Sequence, residues 1–210
     1  MKEVIKLIVE FFSYMSSLIL RYEVIKFIDR YLKKTIWYAA RRKFASVGVN
    51  SFIEWPFLLN GPENISIGQN FSALSCFRIE TFTSYENRTY NPKLIIGNNV
   101  SFNNDCHIGC INRIEIGNNV LGASRIYITD HYHGNITSDD LQYLPGKRPL
   151  SSKGPVIIED NVWIGEGVAI LPGVTIGVNS IIGANSVVNK DIPANCVAAG
   201  IPARVVKHLN

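Results

Sequence analysis

The sequence lacks the features that mark secreted, metal-binding and membrane-spanning proteins. It has four cysteines in 210 residues, and no two of them form a CxxC pair. No secretory cleavage pattern precedes them, so we expect a cytoplasmic protein with free thiols. Lys6 and Glu10 interrupt the apolar stretch from Val4 to Leu20. The uncharged run that remains is too short for a bilayer, which needs roughly 20 apolar residues.

Charge of either sign is scarce and unevenly placed. Charged residues are 18% of the chain and hydrophobic residues 47%, a balance typical of one globular unit with a sizeable core. Residues 1–45 hold ten Lys/Arg against four Asp/Glu, and the remainder holds eleven against thirteen. Because the basic excess is local, the sequence does not indicate a nucleic-acid surface spread over the protein.

The first 45 residues have the period of amphipathic helices. Lys6, Glu10, Ser13 and Ser17 recur at helical spacing and form a polar stripe opposite apolar residues. A second helical pattern follows and ends near the basic cluster at 41–43. We expect residues 1–45 to form a helical segment that packs on the main domain or on partner subunits. Peripheral contact with the inner face of a membrane stays open as the alternative.

After residue 46, short aliphatic pairs followed by Gly or Asn recur with a period of six. Two ladders share this period in the clearest run, and they consist of Ile164, Ile170, Ile176, Ile182 and Val188, and of Val156, Val162, Val168, Val174, Ser180 and Ser186. A period of six fits neither a helix nor an isolated strand, but it fits a triangular coil with one short strand on each side. Stacked coils close a core that no single coil can bury, so the sequence predicts a parallel β-helix over residues 46–210.

The same pattern is written twice more, nearer the amino terminus. It appears in "LIIGNNVSFNND" and "IEIGNNVLGAS", where the ladder residues are Ile96, Phe102, Ile108, Ile116, Gly122 and Ile128. Ile108 and Ile116 are eight residues apart, which is two more than the period of six. A weaker copy, "ISIGQNF", starts at Ile65.

These repeats resemble those of the hexapeptide-repeat acyltransferases. The resemblance covers roughly residues 60–207 and is strongest in "GPVIIEDNVWIGEGVAILPGVTIG" and "NKDIPANCVAAGIPARVVK". The second segment is similar to the ending of galactoside, maltose and polysaccharide O-acetyltransferases. The resemblance implies a left-handed β-helix, a homotrimer, and transfer of an acetyl group from acetyl-CoA to a hydroxyl of a sugar or glycan precursor. It implies no required metal.

A long polar segment at 129–155 breaks the repeats once. Such an excursion from a repeat scaffold is usually functional or disordered. A sugar hydroxyl needs a base before it can attack a thioester, and histidine titrates in the right range. The resemblance places His131 on the family's catalytic histidine and His133 beside it as a structural or substrate-contacting neighbour, although the two roles could be swapped. Asp130 is assigned no catalytic role, because an adjacent residue often cannot orient its neighbour's ring.

The remaining site residues follow from the resemblance. Asn103 matches an acceptor-contacting asparagine, and a plain turn role is the equal alternative because Asn104 lies next to it. Trp163 matches the "VWIG" tryptophan against which the pantetheine arm of the coenzyme packs. The other coenzyme-binding positions are Ala184, Asn189, Lys190, Arg204 and Lys207.

Three other functions stay open at this point. A γ-carbonic-anhydrase-like enzyme would need His107, His131 and His133 to converge on a metal, but the tail "AAGIPARVVK" favours the transferase. Cys106 continues a ladder from Val100, which indicates a core residue and not a zinc ligand. An N-acetyltransferase acting on a sugar nucleotide would use the same fold. A catalytically silent scaffold is the third alternative, because a fold does not imply chemistry.

Overall fold

The chain winds through three parallel sheets and visits each in turn on every circuit. The computed structural model describes residues 2–19, 21–135 and 137–209. The first sheet consists of Ser46–Val47, Ile65–Ile67, Lys93–Ile96, Arg113–Ile116, Val156–Ile158 and Thr175–Ile176. The second consists of Phe52–Ile53, Ser72–Ala73, Ser101–Phe102, Leu121–Gly122, Trp163–Ile164, Ile181–Ile182, Cys196–Gly200 and the antiparallel Ala203–His208. The third consists of Phe57–Asn60, Phe77–Thr81, His107–Cys110, Tyr127–Thr129, Ala169–Ile170 and Val187–Val188.

The six-residue ladders predicted from the sequence line the interior of this coil. Ile164 pairs in register with Ile182, and both side chains are buried. Stacking like side chains on successive coils removes apolar surface from water along the whole axis. The second ladder ends in two fully buried serines, whose hydroxyls donate to backbone carbonyls: Ser180 to Pro193 at 2.7 Å and Ser186 to Gly183 at 2.6 Å. These bonds satisfy the hydroxyls within an apolar core.

At one corner of the coil, asparagines of successive turns form a ladder of side-chain hydrogen bonds. Asn99, Asn119 and Asn161 have φ values of 57°, 57° and 60°, a left-handed conformation that asparagine tolerates. The side-chain amide of Asn99 donates to Asn119 at 3.0 Å, and that of Asn119 donates to Asn161 at 3.0 Å. The ladder continues on either side through Asn50, Asn70, Asn179 and Asn195. Each Asn therefore turns its own coil and binds the next one.

Two excursions leave the coil on the side of the third sheet. Ser84–Tyr85 pairs with Arg88–Thr89 in a short antiparallel hairpin, which the sequence did not predict. In the long segment that follows Thr129, Tyr132–His133 pairs antiparallel with Leu150–Ser151. Between these strands lie the 3-10 helices Ser138–Gln142 and Pro145–Lys147. The break in the repeats is thus a closed loop with a two-stranded stem.

The amino-terminal segment forms two helices, α1 (Lys2–Ile19) and α2 (Tyr22–Ala40), followed by a 3-10 turn at Arg41–Lys43. Trp37 closes the open end of the first coil, where its ring is 1% exposed and its indole N–H donates to the Ser51 carbonyl at 2.8 Å. Another 3-10 turn, Pro62–Asn64, precedes the second coil.

Every described side chain of α1, from Lys2 to Leu18, is exposed. Helix α1 therefore does not pack on the main domain of its own chain, and its packing on partner subunits stays a prediction. The apolar end of the β-helix is not left for α1 to cover, because Trp37 of α2 and Phe44 after the 3-10 turn already cover it. Among the residues that the structure describes, no helix has the length and apolar character to cross a membrane.

Candidate active site

His131 lies just beyond the end of the third-sheet strand Tyr127–Thr129 and is held there by polar neighbours. Its Nδ1 is 3.1 Å from Oδ1 of Asp130 and 3.2 Å from Oγ1 of Thr129. A carboxylate can only accept a hydrogen bond, so Nδ1 carries the ring proton of neutral His131 and Nε2 has the free lone pair. The histidine is thus oriented as a base.

Asp130 is completely buried and fixed by three donors. Its carboxylate accepts hydrogen bonds from the backbone N–H of Ile111 at 2.9 Å and of Asn112 at 2.8 Å, and from the thiol of Cys110 at 3.3 Å. The expectation that Asp130 does not orient its neighbour's ring is wrong. The chain bends at the strand end, and the inward carboxylate of Asp130 stays within reach of His131 Nδ1 while the corner at 111–112 anchors it.

The rings of His131 and His107 meet beside Gly109, and the space between them that the glycine leaves free of a side chain is the gap of this site. A methyl group placed on Gly109 would lie 3.2 Å from Cε1 of His131, 4.0 Å from its Nε2 and 3.6 Å from Nε2 of His107. The two imidazole rings therefore border the same small space.

His107 is the second histidine at the gap, and its environment keeps it neutral. Its Nε2 lies 3.2 Å from Oε2 of Glu80, which is also paired with Arg78, and its ring packs on Tyr127 at a centroid distance of 5.2 Å. Burial of the ring lowers the pKa of His107, and the charge of Arg78 acts in the same direction against the opposing effect of Glu80. A neutral His107 does not oppose the positive charge that His131 acquires when it takes a proton.

Sequence reasoning missed Glu80 and Gly109 as site residues and considered His107 only as a metal ligand. The register brings Gly109 opposite both Glu80 and Thr129 on neighbouring strands. The available signal was the ladder itself, because Ile79 occupies the same inward position one coil before Ile108. The hairpin inserted after the Glu80 strand hides that spacing.

His133 is not brought into the gap. Its exposed ring packs edge-on against Tyr85 of the short hairpin, at a centroid distance of 5.3 Å, while the ring of His131 packs against Phe82 at 5.9 Å. A metal site made by His107, His131 and His133 of one chain therefore has no support in their placement.

Asn103 and His131 lie at opposite ends of the third-sheet strands. The backbone N–H of Asn103 donates to the Gly122 carbonyl at 3.2 Å, at the corner where that sheet begins, whereas His131 follows its far end. The side chain of Asn103 is exposed, and the neighbouring Asn104 accepts a hydrogen bond from Ser75 at 3.1 Å. A single chain thus does not join Asn103 to the histidine.

Three residues predicted to bind the coenzyme lie on the outer face of the second sheet. Trp163 is opposite Ile181, which is opposite Val197, which is opposite Lys207. Three strand spacings separate Trp163 from Lys207, about 14 Å. Arg204 lies on the same last strand and is exposed, as is Lys207. An apolar ring thus stands at one end of this line and two cations at the other.

The other three predicted coenzyme residues lie at corners of the last coils. Val188 is in register with Ile128 across one intervening strand. The chain bends towards His131 after Ile128, and Asn189 and Lys190 come after Val188 in the same way. Asn189 and Lys190 therefore lie along the edge of the third sheet that bears His131. Ala184 is exposed, and its backbone lies so close to Gly165 of the preceding coil that no side chain fits at position 165.

The cysteines are all free, as predicted, and Cys110 borders the site through its hydrogen bond to Asp130. Burial raises the pKa of both the Cys106 and the Cys110 thiols, and the nearby carboxylate of Asp130 raises that of Cys110 further. Metal ligation needs a thiolate, so both thiols are poor ligands. Within residues 2–19, 21–135 and 137–209, no group of three or more His, Cys, Asp and Glu side chains could hold a metal ion.

The sequence matches known transferases in two independent ways. The family model for bacterial transferase hexapeptide (six repeats) matches residues 155–190. A protein of Escherichia coli (strain K12) that is named as a lipopolysaccharide biosynthesis O-acetyl transferase, WbbJ, is 36% identical over 162 residues, which are 75% of this chain and 79% of that protein.

Solved structures show the same fold and reaction type. A maltose O-acetyltransferase from Clostridium difficile 630 is 36% identical, with a TM-score of 0.56 over 81% of this chain and 72% of the other. A galactoside acetyltransferase in complex with coenzyme A is 32% identical, with a TM-score of 0.50 over 81% and 68%. The predicted left-handed parallel β-helix with amino-terminal helices is confirmed. The chain therefore belongs to the hexapeptide-repeat acyltransferases, and within them to the O-acetyltransferases that use acetyl-CoA.

Proposed function

We propose that the protein transfers the acetyl group of acetyl-CoA to a hydroxyl of a sugar or glycan precursor, with His131 as the general base. One observation carries the proposal. The proton on Nδ1 of His131 is held by the buried carboxylate of Asp130, and the opposite ring nitrogen faces the gap at Gly109. Fixing a base and its lone pair in this way is what general base catalysis at neutral pH requires.

The chemical steps need no group besides the base and the two substrates. Nε2 of His131 takes the proton of the acceptor hydroxyl while its oxygen attacks the thioester carbonyl carbon. The tetrahedral intermediate collapses, the carbon–sulfur bond breaks, and the coenzyme thiolate recovers the proton from His131. Asp130 stabilises the imidazolium between these steps through its hydrogen bond to Nδ1.

The line from Trp163 to Lys207 supports a matching placement of the coenzyme. The exposed ring of Trp163 offers an apolar surface to the pantetheine arm, and Arg204 and Lys207 offer cations to the phosphates. Asn189 and Lys190 continue from this surface towards the edge of the third sheet that bears His131. The small, exposed side chain of Ala184 would let the thin arm approach the backbone.

The separation of Asn103 from His131 favours a homotrimer as the working form. In one chain the whole width of the third sheet lies between them. In a trimer, Asn103 of one subunit can approach His131 of the next, where its amide would hold the acceptor hydroxyl beside the base. His133, at the stem of the long loop, is then free to contact the acceptor from outside the gap.

We assign the acceptor to a glycan that is made in the cytoplasm or at the inner face of the membrane. The named role of the relative in lipopolysaccharide biosynthesis supports a glycan acceptor. The site at Gly109 offers the free nitrogen of His131 to a hydroxyl, which is the group that a glycan acceptor carries.

A screen of acceptors tests the reaction directly. Purified protein, acetyl-CoA and a panel of sugars, nucleotide sugars and hydroxyl-bearing antibiotics are mixed, and release of free coenzyme thiol is measured. We expect thiol release with at least one sugar or nucleotide sugar, with the acetyl group recovered on oxygen by mass spectrometry and alkaline lability. Acetyl groups recovered only on nitrogen would replace the O-acetyltransferase with the N-acetyltransferase alternative.

Chelation tests whether a metal takes part. Because burial keeps the thiols of Cys106 and Cys110 protonated and His133 packs on Tyr85, we expect dialysis against a strong chelator to leave at least about four fifths of the transfer rate. The control is a parallel dialysis without chelator. A loss that zinc or another divalent ion restores would revive the carbonic-anhydrase-like alternative.

A further inference from the structure

Helix α2 turns its polar face towards its own β-helix. Asp29, Lys33 and Trp37 are spaced by four residues and share this face. The ammonium of Lys33 lies 2.9 Å from Asp29 and 2.9 Å from Glu54 of the first coil, and the ring of Trp37 is buried against that coil. The rest of the chain therefore occupies the polar side of the helix.

The opposite side of α2 is apolar and faces outward. Val24, Phe27, Ile28 and Tyr31 recur at helical spacing on it, and Phe27 is 70% and Tyr31 64% exposed. An amphipathic helix on a globular domain normally directs such a stripe to the core. Here the orientation is reversed, so the apolar stripe is presented to something outside the chain.

Helix α1 presents an even wider apolar surface. Its polar stripe is narrow, and every described side chain outside that stripe is as exposed as those within it. Phe11 and Phe12 are 60% and 63% exposed and point in directions about 100° apart on the helix. A single partner helix covers one stripe of a neighbour, whereas an apolar arc of this width suits a continuous apolar medium with the helix lying along its boundary.

The charge of this segment decides whether a membrane or a second copy of the chain covers the apolar surface. Residues 1–45 hold ten Lys/Arg against four Asp/Glu, and Arg42 and Lys43 are exposed directly after α2. Contact between copies through this segment would bring like charges together. An anionic lipid surface would attract the same charges while its acyl region received the apolar side chains.

We propose that the outward apolar residues of α1 and α2, together with the basic turn at 41–43, form a docking surface for an anionic membrane. The helices lie in the plane of the membrane interface. Lys33 and Trp37 connect the polar side of α2 to the β-helix. This surface does not depend on the acetyl-transfer chemistry. It would hold the catalytic gap near acceptors that are themselves bound to the membrane.

Sedimentation with vesicles tests the docking surface in the full-length protein. The probes are phosphatidylcholine vesicles and vesicles in which about a third of the lipid is phosphatidylglycerol. We expect at least about tenfold tighter binding to the anionic vesicles, weakened by high salt. Phe11→Ser with Phe12→Ser, or Phe27→Ser with Tyr31→Ser, should each weaken that binding at least about tenfold. These side chains are exposed in the chain, so the fold should not change.

The matched control changes the polar stripe of the same helix. Ser13→Ala with Ser17→Ala should bind anionic vesicles as the parent does. The solution mass and the rate of acetyl transfer to a soluble acceptor are measured for all variants, so that a failure of docking is not confused with a failure of catalysis. Two results would overturn the proposal. One is a parent protein that ignores both kinds of vesicle, and the other is binding that the phenylalanine and tyrosine substitutions leave intact. A fall in solution mass in those variants, without vesicle binding by the parent, would assign the surface to a second copy.

Discussion

Replacing His131 with alanine should lower the turnover of acetyl-CoA by at least about a hundredfold, because the acceptor hydroxyl loses the group that takes its proton. The variant keeps Asp130 in its ring of backbone donors, since Ile111 and Asn112 bind that carboxylate independently of the histidine. We therefore expect near-normal coenzyme affinity and solution mass. Turnover is measured as thiol release under saturating acceptor, and affinity by calorimetry with coenzyme A.

His133→Ala is the matched control for this experiment. The ring of His133 lies outside the gap and packs on Tyr85, so its removal should change turnover much less than the loss of His131. A larger loss in His133→Ala than in His131→Ala would move the role of the base to His133. Such a result would also mean that the loop rearranges when the acceptor binds.

Much of the scaffold was predictable because each repeat places the same kinds of residue at the same positions of its coil. Ile164 and Ile182 had to stack on one another once a period of six was recognised, and the structure pairs them in register. The corner asparagines were predictable as turn residues. Their side-chain ladder was not, because it depends on the vertical alignment of corners on successive coils.

The catalytic gap was only partly predictable, because it is assembled across strands that are far apart in sequence. His131 was predicted to be the base from the family resemblance and from its position at a broken repeat, and that role stays a prediction. Glu80 and Gly109 were missed, since the inserted hairpin shifts the spacing between their coils, and the two extra residues near position 111 shift the spacing between the coils of Gly109 and His131. The role of Asp130 was missed because it depends on a bend of the chain that only the fold defines.

The amino-terminal helices show a different limit of sequence reasoning. Helical spacing predicted their amphipathic character, and in α2 the exposed residues Val24, Ile28 and Tyr31 form an apolar side opposite Lys33. The pattern alone could not say which side faces the domain. The usual rule sends the apolar side inward, yet the ion pair between Lys33 and Glu54 fixes the polar side there.

Gly109→Ala should have the second largest effect, a loss of acetyl transfer of about a hundredfold, because the added methyl group fills the space beside the ring of His131. Its backbone does not have a positive φ, so alanine meets no conformational penalty there. The added methyl would stand 3.2 Å from Cε1 of His131, which is a tight contact, and would push the ring of the base out of its present position. Displacement of a reacting group by about 1 Å can cost about a hundredfold in rate.

The measurements that separate a filled gap from a damaged fold are the melting temperature, the coenzyme affinity and the transfer rate of the same preparation. We expect the first two to stay close to the parent values, because the methyl displaces only the edge of a ring and lies away from Trp163 and Lys207. Gly146→Ala is the matched control, since nothing lies within 4 Å of the position where its methyl would be added. It should leave all three measurements unchanged. If Gly109→Ala transferred acetyl groups at the parent rate, the acceptor could not pass between His107 and His131, and the base would have to act from another side of its ring.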